Sequence, residues 1–297
     1  MATWSPELVV DEPLARQLVD RFPETAGRPL RLLATGWDRT AWLVDERWVF
    51  GFPRREVVVP GVERELEWLP RLAPILPQPI PVPRFIGEPA SEFPWPFFGG
   101  EFIVGSELSD VELDDGARSA IGVELASFLR VLHSIDGTRL PEDGNRRADM
   151  RDRVPKTRET LAQLETLGLW HAPASVQQLL EDAGSLPPPP DSETVAHGDL
   201  HFRQVVVANG RLSGVLDWID VCRSDASIDL LMFWSFVPPA GRAAFLAEYG
   251  PIRDDQLLRS RVLSLNLCSF LAHFAHTEGM PAVEREALAG LERTVRD

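Results

Sequence analysis

Two carboxylates and an amide, Asp199, Gln204 and Asp217, fall in one short stretch of this 297-residue chain. Such oxygen donors suit a hard cation, and a carboxylate beside them can orient a hydroxyl. The run from Val195 through His197, Gly198 and Asp199 to Gln204 is polar in its middle and flanked by apolar residues. Val205, Val206 and Val207 then read as a strand, Asn209-Gly210 as a two-residue type I′ turn, and 212–216 as the returning strand. If the turn pairs Ala208 with Arg211, counting back sets Gln204 opposite Val215 and puts Gln204, Val215 and Asp217 on one face. Gln204 and Asp217 become diagonal neighbours, roughly 7 to 8 Å apart. A single cation or phosphate group fits between them, and Asp199 lies in the loop that feeds the same end.

That order of residues matches phosphoryl transfer of the kinase type. A His-x-Asp-Leu-x-x-x-Asn loop offers its Asp to the accepting hydroxyl and its Asn to Mg²⁺, and a later Asp binds Mg²⁺ at the phosphates. His197, Asp199, Leu200, Gln204 and Asp217 fall on those positions. The stretch resembles the aminoglycoside phosphotransferase family, which includes macrolide phosphotransferases. The shared features are His197-Gly198-Asp199, Asp217-Trp218, and a Ser224-Asp225-Ala226-Ser227-Ile228-Asp229-Leu230 segment similar to the family's Gly-Asp-Pro-x-x-Asp-Leu. The resemblance implies that Asp199 orients and deprotonates the acceptor, His197 braces the loop, and Gln204 and Asp217 hold Mg²⁺. It also implies ATP or GTP as the donor. The structural alternative is a turn followed by a helix capped at Asp225, with Asp229 bonding the loop from beneath. Gly198-Asp199-Leu200-His201 is also found in metallophosphoesterases, but their upstream Asp-x-His and downstream Gly-Asn-His are absent.

The elements upstream must cover the nucleotide if the resemblance holds. Apolar spacing predicts a helix over 6–22 and strands over 30–33, 41–44 and 48–52. The loop at Gly36 joins the first two, and by resemblance it covers the phosphates. The third strand should carry a Lys or Arg to hold them, yet Gly51 occupies that place. Lys156 is the only lysine in the chain, so Arg39, Arg54 and Arg55 are the candidate substitutes. Glu65, in a helix over 62–72, resembles the cation's partner; the alternative for Glu63 and Glu65 is a solvated helix face. Prolines at 74, 77, 79, 81 and 83 keep the chain extended up to a strand at 84–86. A last strand over 97–104 would present backbone groups near Glu101 and Ile103 to the base.

Helical spacing recurs at 116–133, 151–167, 174–186, 226–236, 242–249, 257–276 and 283–295. The expected fold is α+β, a two-lobed protein-kinase-like arrangement. A small antiparallel-sheet N-terminal lobe covers the nucleotide over 1–104, and a mainly helical C-terminal lobe over 105–297 carries catalysis and acceptor binding. Forty-five acidic residues against 30 basic ones leave a net charge of −15. That argues against nucleic acid or an anionic membrane as partner and is compatible with a cationic acceptor. Cys222 and Cys268 suit buried thiols in a reducing cytoplasm, and neither a signal peptide nor an 18-residue apolar run occurs. The expected function is transfer of the ATP γ-phosphoryl group to a hydroxyl of a small molecule: an aminoglycoside, a macrolide or another metabolite. Gly51 and Gln204 depart from the family pattern and keep open a degenerate kinase fold that binds without turnover. A metal-dependent phosphatase is the third, weaker reading.

Overall fold

Every second residue from Trp48 to Phe52 is a large aromatic, and all three, Trp48, Phe50 and Phe52, are buried. Alternation of this kind gives a sheet one apolar face, and the sheet must cover it. In the computed structural model, which describes residues 5–296, the cover is aromatic and helical. Phe85, Phe93, Trp95 and Phe97 pack with the three aromatics, as do Ala15, Leu18 and Val19 of helix α1 (Glu12–Val19).

The sheet is antiparallel. It contains β1 (Leu30–Thr35), β2 (Arg39–Val44) and β3 (Trp48–Pro53). Helix α2 (Val59–Leu72) follows, then β4 (Phe85–Gly87) and β5 (Phe97–Glu101), giving the order β1-β2-β3-β5-β4. The α1 helix is shorter than its apolar pattern suggests because Asp11 caps it, accepting the Leu14 N–H at 3.1 Å. These elements belong to one compact unit, which reaches to Ile75 and includes Pro79–Val104 and the later segment Leu216–Ile219.

The second unit comprises Leu76–Gln78, Gly105–Val215 and the chain from Asp220 onward. It is mainly helical. In order it holds β6 (Ser106–Glu107), α3 (Asp115–Leu132), α4 (Met150–Thr166), α5 (Ala174–Gly184) and β7 (Val195–Ala196). The hairpin strands β8 (Val205–Ala208) and β9 (Arg211–Val215) come next, then β10 (Cys222–Arg223) and α6 (Leu231–Ser235). Helices α7 (Pro239–Tyr249), α8 (Asp254–Glu278) and α9 (Pro281–Val295) complete it. The helix expected over 226–236 is instead a 3₁₀ turn at Ala226–Ile228 followed by α6, with Asp229 at the join. Asp225 caps that turn by accepting the Ser227 N–H. No helix among the described residues is long and apolar enough to cross a membrane.

The hairpin has the expected turn but not the expected register. Asn209 and Gly210 both take positive φ, 53° and 73°, as a type I′ turn requires, and Ala208 pairs with Arg211. An irregularity then intervenes: Val207 pairs with Leu212 but Val206 with Gly214, so Ser213 is an extra residue on β9. A bulge of one residue slips everything beyond it. Val205, rather than Gln204, therefore faces Val215. Asp217 lies past the end of β9 with φ 59°, so it is not on a strand face with Gln204.

Candidate active site

In the second unit, the loop between β7 and β8 is held from beneath by one carboxylate. Asp229 Oδ2 accepts the His197 N–H at 2.8 Å and Oδ1 accepts the Gly198 N–H at 3.0 Å. Asp229 is fully buried; its Oδ2 also lies 3.0 Å from His133 Nε2, and His133 Nδ1 is 2.8 Å from the Tyr249 hydroxyl. Burial pushes the Asp229 carboxyl up, but the hydrogen bond and charge of His133, followed by His197, outweigh it and leave the pKa below its ordinary value. Gly198 has φ 90°, and a Cβ there would stand 2.3 Å from the Asp220 carbonyl oxygen. Only glycine lets the loop pass.

Asp199 is turned outward, its side chain 39 % exposed. Its N–H donates to Nδ1 of the buried His197 at 3.3 Å. Desolvation raises the Asp199 carboxyl, yet the hydrogen bond and charge of His201, then Arg147 and His197, bring its pKa below the ordinary value. An ionised, accessible carboxylate results, suited to orienting a hydroxyl. His201 Nε2 is 3.6 Å from Asp199 Oδ2 and 3.3 Å from Gln204 Nε2, so one imidazole touches both residues.

Arg147 is a charged neighbour of this loop that the motifs do not reveal. It pairs with Asp143 at 2.6 Å and Asp220 at 3.0 Å. Burial pulls its pKa down, but Asp220, Asp143 and Asp199 together raise it. The one sequence hint is an acidic pair, Glu142-Asp143, shortly before two arginines.

In the first unit, Glu65 is fully buried and joins three segments. Arg39 reaches it from β2 as a two-pronged pair, with Nη1 at 3.1 Å from Oε1 and Nη2 on Oε2. The Trp218 N–H donates to Oε1 at 3.2 Å. The adjacent residue on α2, Arg64, donates from Nη2 to the Ile219 carbonyl at 2.7 Å, and one turn earlier a Cβ on Gly61 would lie 2.3 Å from Ile219 Cγ1. Thus α2 grips the segment that begins with Asp217. Asp217 itself is exposed, and its charge acts on Arg39: burial lowers the Arg39 pKa while Asp217 and Asp38 oppose that.

Gly51 lies beside the path of Arg39. Ala41 on β2 and Phe98 on β5 flank it, and a Cβ at Gly51 would lie 3.4 Å from Arg39 Cδ. The guanidinium crosses this vacancy in β3, 5.3 Å from the Phe98 ring centroid. Arg54 and Arg55 are engaged elsewhere, on the Gly36 carbonyl and on Asp38.

The expected residues therefore fall into groups. Arg39, Glu65 and Asp217 gather in the first unit, and His197, Asp199 and Gln204 in the second. Gly36 closes the β1-β2 turn, its N–H donating to the Arg39 carbonyl at 2.8 Å. Glu101 pairs loosely with Arg47 at 3.7 Å, opposite Trp48 and so at the far end of β3 from Arg39; Ile103 follows β5. Among the described residues no group of three His, Cys, Asp or Glu gathers as a metal cage. Asp217 in the first unit and the Gln204 amide in the second each offer an oxygen of the kind Mg²⁺ takes, since that ion usually binds one or two protein oxygens and completes its shell with phosphates and water.

A model of the phosphotransferase enzyme family matches residues 29–259. Among solved structures, the GDP complex of wild-type aminoglycoside 2'-phosphotransferase-IIIa superposes with a TM-score of 0.68 at 19 % identity, covering 96 % of this chain and 98 % of that one. Macrolide 2'-phosphotransferase MphH from Brachybacterium faecium gives 0.60 at 20 % identity over 93 % and 96 %. ADP-bound aminoglycoside phosphotransferase APH(2'')-Ib gives 0.56 at 17 % identity over 94 % and 99 %. No curated protein matches the chain in sequence.

Asp229→Asn should loosen the loop. An amide has one acceptor oxygen, so either the His197 or the Gly198 N–H loses its partner, at a cost of about 1–3 kcal/mol in denaturant unfolding at neutral pH. The sign of the pH effect follows from the depressed pKa. Asp229 stabilises the fold above the unfolded carboxylate value and loses that contribution as pH falls below about 4. The variant's stability should therefore decline less steeply in acid than the wild type's.

Proposed function

The chain belongs to the phosphotransferase enzyme family, and on that footing we propose that it transfers the γ-phosphoryl group of ATP or GTP to a hydroxyl of a small molecule. The acceptor oxygen bonds to the γ-phosphorus as the bond to the β-phosphate oxygen breaks. The nucleoside diphosphate leaves, and the hydroxyl proton passes to Asp199. His197 keeps the loop in shape. The observation that carries this reading is Glu65, which binds both Arg39 and the backbone beside Asp217. A phosphate-holding cation and a metal-binding carboxylate are thereby kept together.

Arg39 takes the part that a third-strand cation would play, neutralising nucleotide phosphates. Mg²⁺ bound to those phosphates would spread their charge further, with Asp217 and the Gln204 amide oxygen as its protein donors. Gly36 lies at the turn proposed to cover the phosphates, and backbone groups near Glu101 and Ile103 are proposed to meet the base. The role of residues 1–104 is to cover the nucleotide, and that of 105–297 to carry catalysis and bind the acceptor. Catalysis of this sort is mainly positioning and charge neutralisation. Gly51 and Gln204 keep open the alternative of binding without turnover; in this reading Arg39 stands in for the cation that Gly51 lacks, and Gln204 keeps the amide of the family's Asn on a stem one methylene longer. Buried thiols at Cys222 and Cys268 accord with a cytoplasmic setting.

Release of nucleoside diphosphate in the presence of hydroxyl compounds tests the reading. Asp199→Asn should lower kcat by about two to four decades while nucleotide affinity holds, because an amide cannot take the acceptor's proton. Full activity in this variant would make Asp199 structural. Asp217→Ala should remove the Mg²⁺ dependence of nucleotide binding, as read by calorimetry with and without the metal. A wild-type affinity indifferent to Mg²⁺ would favour a binding module.

A further inference from the structure

The rings of His197 and His201 are set in the same way. Each accepts, at Nδ1, the backbone N–H of the residue two places on: His197 from Asp199 at 3.3 Å and His201 from Arg203 at 3.2 Å. A ring nitrogen that accepts carries no proton, so the imidazole proton of His201 sits on Nε2. Packing holds the ring in place, since His201 is buried and the Phe202 ring meets it edge-on, 5.8 Å between centroids.

A buried N–H needs an acceptor. His201 Nε2 has two neighbours, Asp199 Oδ2 at 3.6 Å and the Gln204 amide at 3.3 Å. The end of that amide facing the ring is its nitrogen, itself a donor, so the acceptor for this proton is the Asp199 carboxylate. At 3.6 Å the pair stands just beyond hydrogen-bond distance, and catalytic hydrogen bonds often tighten only once substrate is bound. We propose that His201 is a positioning residue for phosphoryl transfer: its Nε2–H takes Oδ2 of Asp199 and turns Oδ1, the other carboxylate oxygen, to the acceptor hydroxyl. This rests on the phosphotransferase reading. The bond to His197 fixes the Asp199 backbone, and the bond to His201 fixes its side chain. A carboxylate left to rotate misplaces the accepting oxygen by about an ångström or more, which is enough to slow a reaction that depends on alignment.

Two substitutions separate this role from a structural one. In His201→Asn the amide oxygen still reaches the N–H two residues on, as Asn does in an Asx turn, but nothing replaces the Nε2–H. His201→Gln places an amide N–H near the Nε2 position and forfeits the bond to Arg203. Release of nucleoside diphosphate from ATP and GTP is followed with kanamycin, erythromycin, glycerol and water as acceptors. The expected order of kcat is wild type, His201→Gln, His201→Asn, the last lower by about ten- to a hundredfold with nucleotide Kd unchanged. The two variants should take the opposite order in Tm, His201→Asn close to the wild type and His201→Gln below it. If kcat follows Tm across the three proteins, or His201→Asn keeps full activity, His201 is structural and the proposal fails. A second arm needs no turnover. In protein carrying isotope-labelled histidine, nitrogen NMR should show His201 protonated at Nε2 alone, and that N–H resonance should move in Asp199→Ala. A proton on Nδ1, or a resonance indifferent to Asp199→Ala, overturns the contact. A wild type that releases no nucleoside diphosphate overturns phosphoryl transfer, and the positioning role with it, while the NMR arm still decides the contact.

Discussion

A single buried carboxylate, Glu65, fixes the arrangement of the first unit. Its two oxygens meet Arg39 from β2 and the backbone N–H of Trp218, and Trp218 itself is fully buried. An acid with no solvent contact must be paired to stay charged, and breaking such a pair typically costs about 3–5 kcal/mol. The pairing therefore ties sheet, helix and Asp217 segment together. The path of Arg39 runs beside Gly51, where a Cβ would be in ordinary contact with it.

The second unit repeats the division of labour. Asp229, like Glu65, is sealed from water and spends its oxygens on holding other groups. Asp199 and Asp217 remain accessible to a ligand. Buried acids thus hold their neighbours and exposed acids stay open to a ligand, an arrangement that would need little reorganisation in the proposed phosphoryl transfer. The left-handed backbone at Asp217 fits the same pattern, since sparsely populated conformations survive where the surroundings hold them. Here Glu65, Arg64 and Gly61 do the holding.

Much of this is legible in the chain. The Asn209-Gly210 turn, the alternation in β3 and the Asp225 cap are local signals, and local geometry obeys them. The Ser213 bulge is not legible, because one inserted residue leaves no periodic trace, and it moved Gln204 off the face assigned to it. Gly51 reads as a loss when β3 is considered alone. Its meaning depends on Arg39, which is remote in sequence and adjacent only once β2 and β3 pair. Arg147 is hidden for a like reason: its importance lies in which carboxylates it meets, and spacing does not encode that.

The most direct measurement is nucleotide affinity, by calorimetry with Mg²⁺, for wild type, Arg39→Ala, and the double variant Arg39→Ala/Gly51→Lys. If Arg39 is a relocated phosphate-holding cation, the single variant should bind about ten- to a hundredfold more weakly. Returning a cation to β3 in the double variant, beside Glu65, should recover most of that loss. An affinity untouched by Arg39→Ala, or one lost equally in the double variant, would contradict the relocation and with it the placement of the nucleotide phosphates.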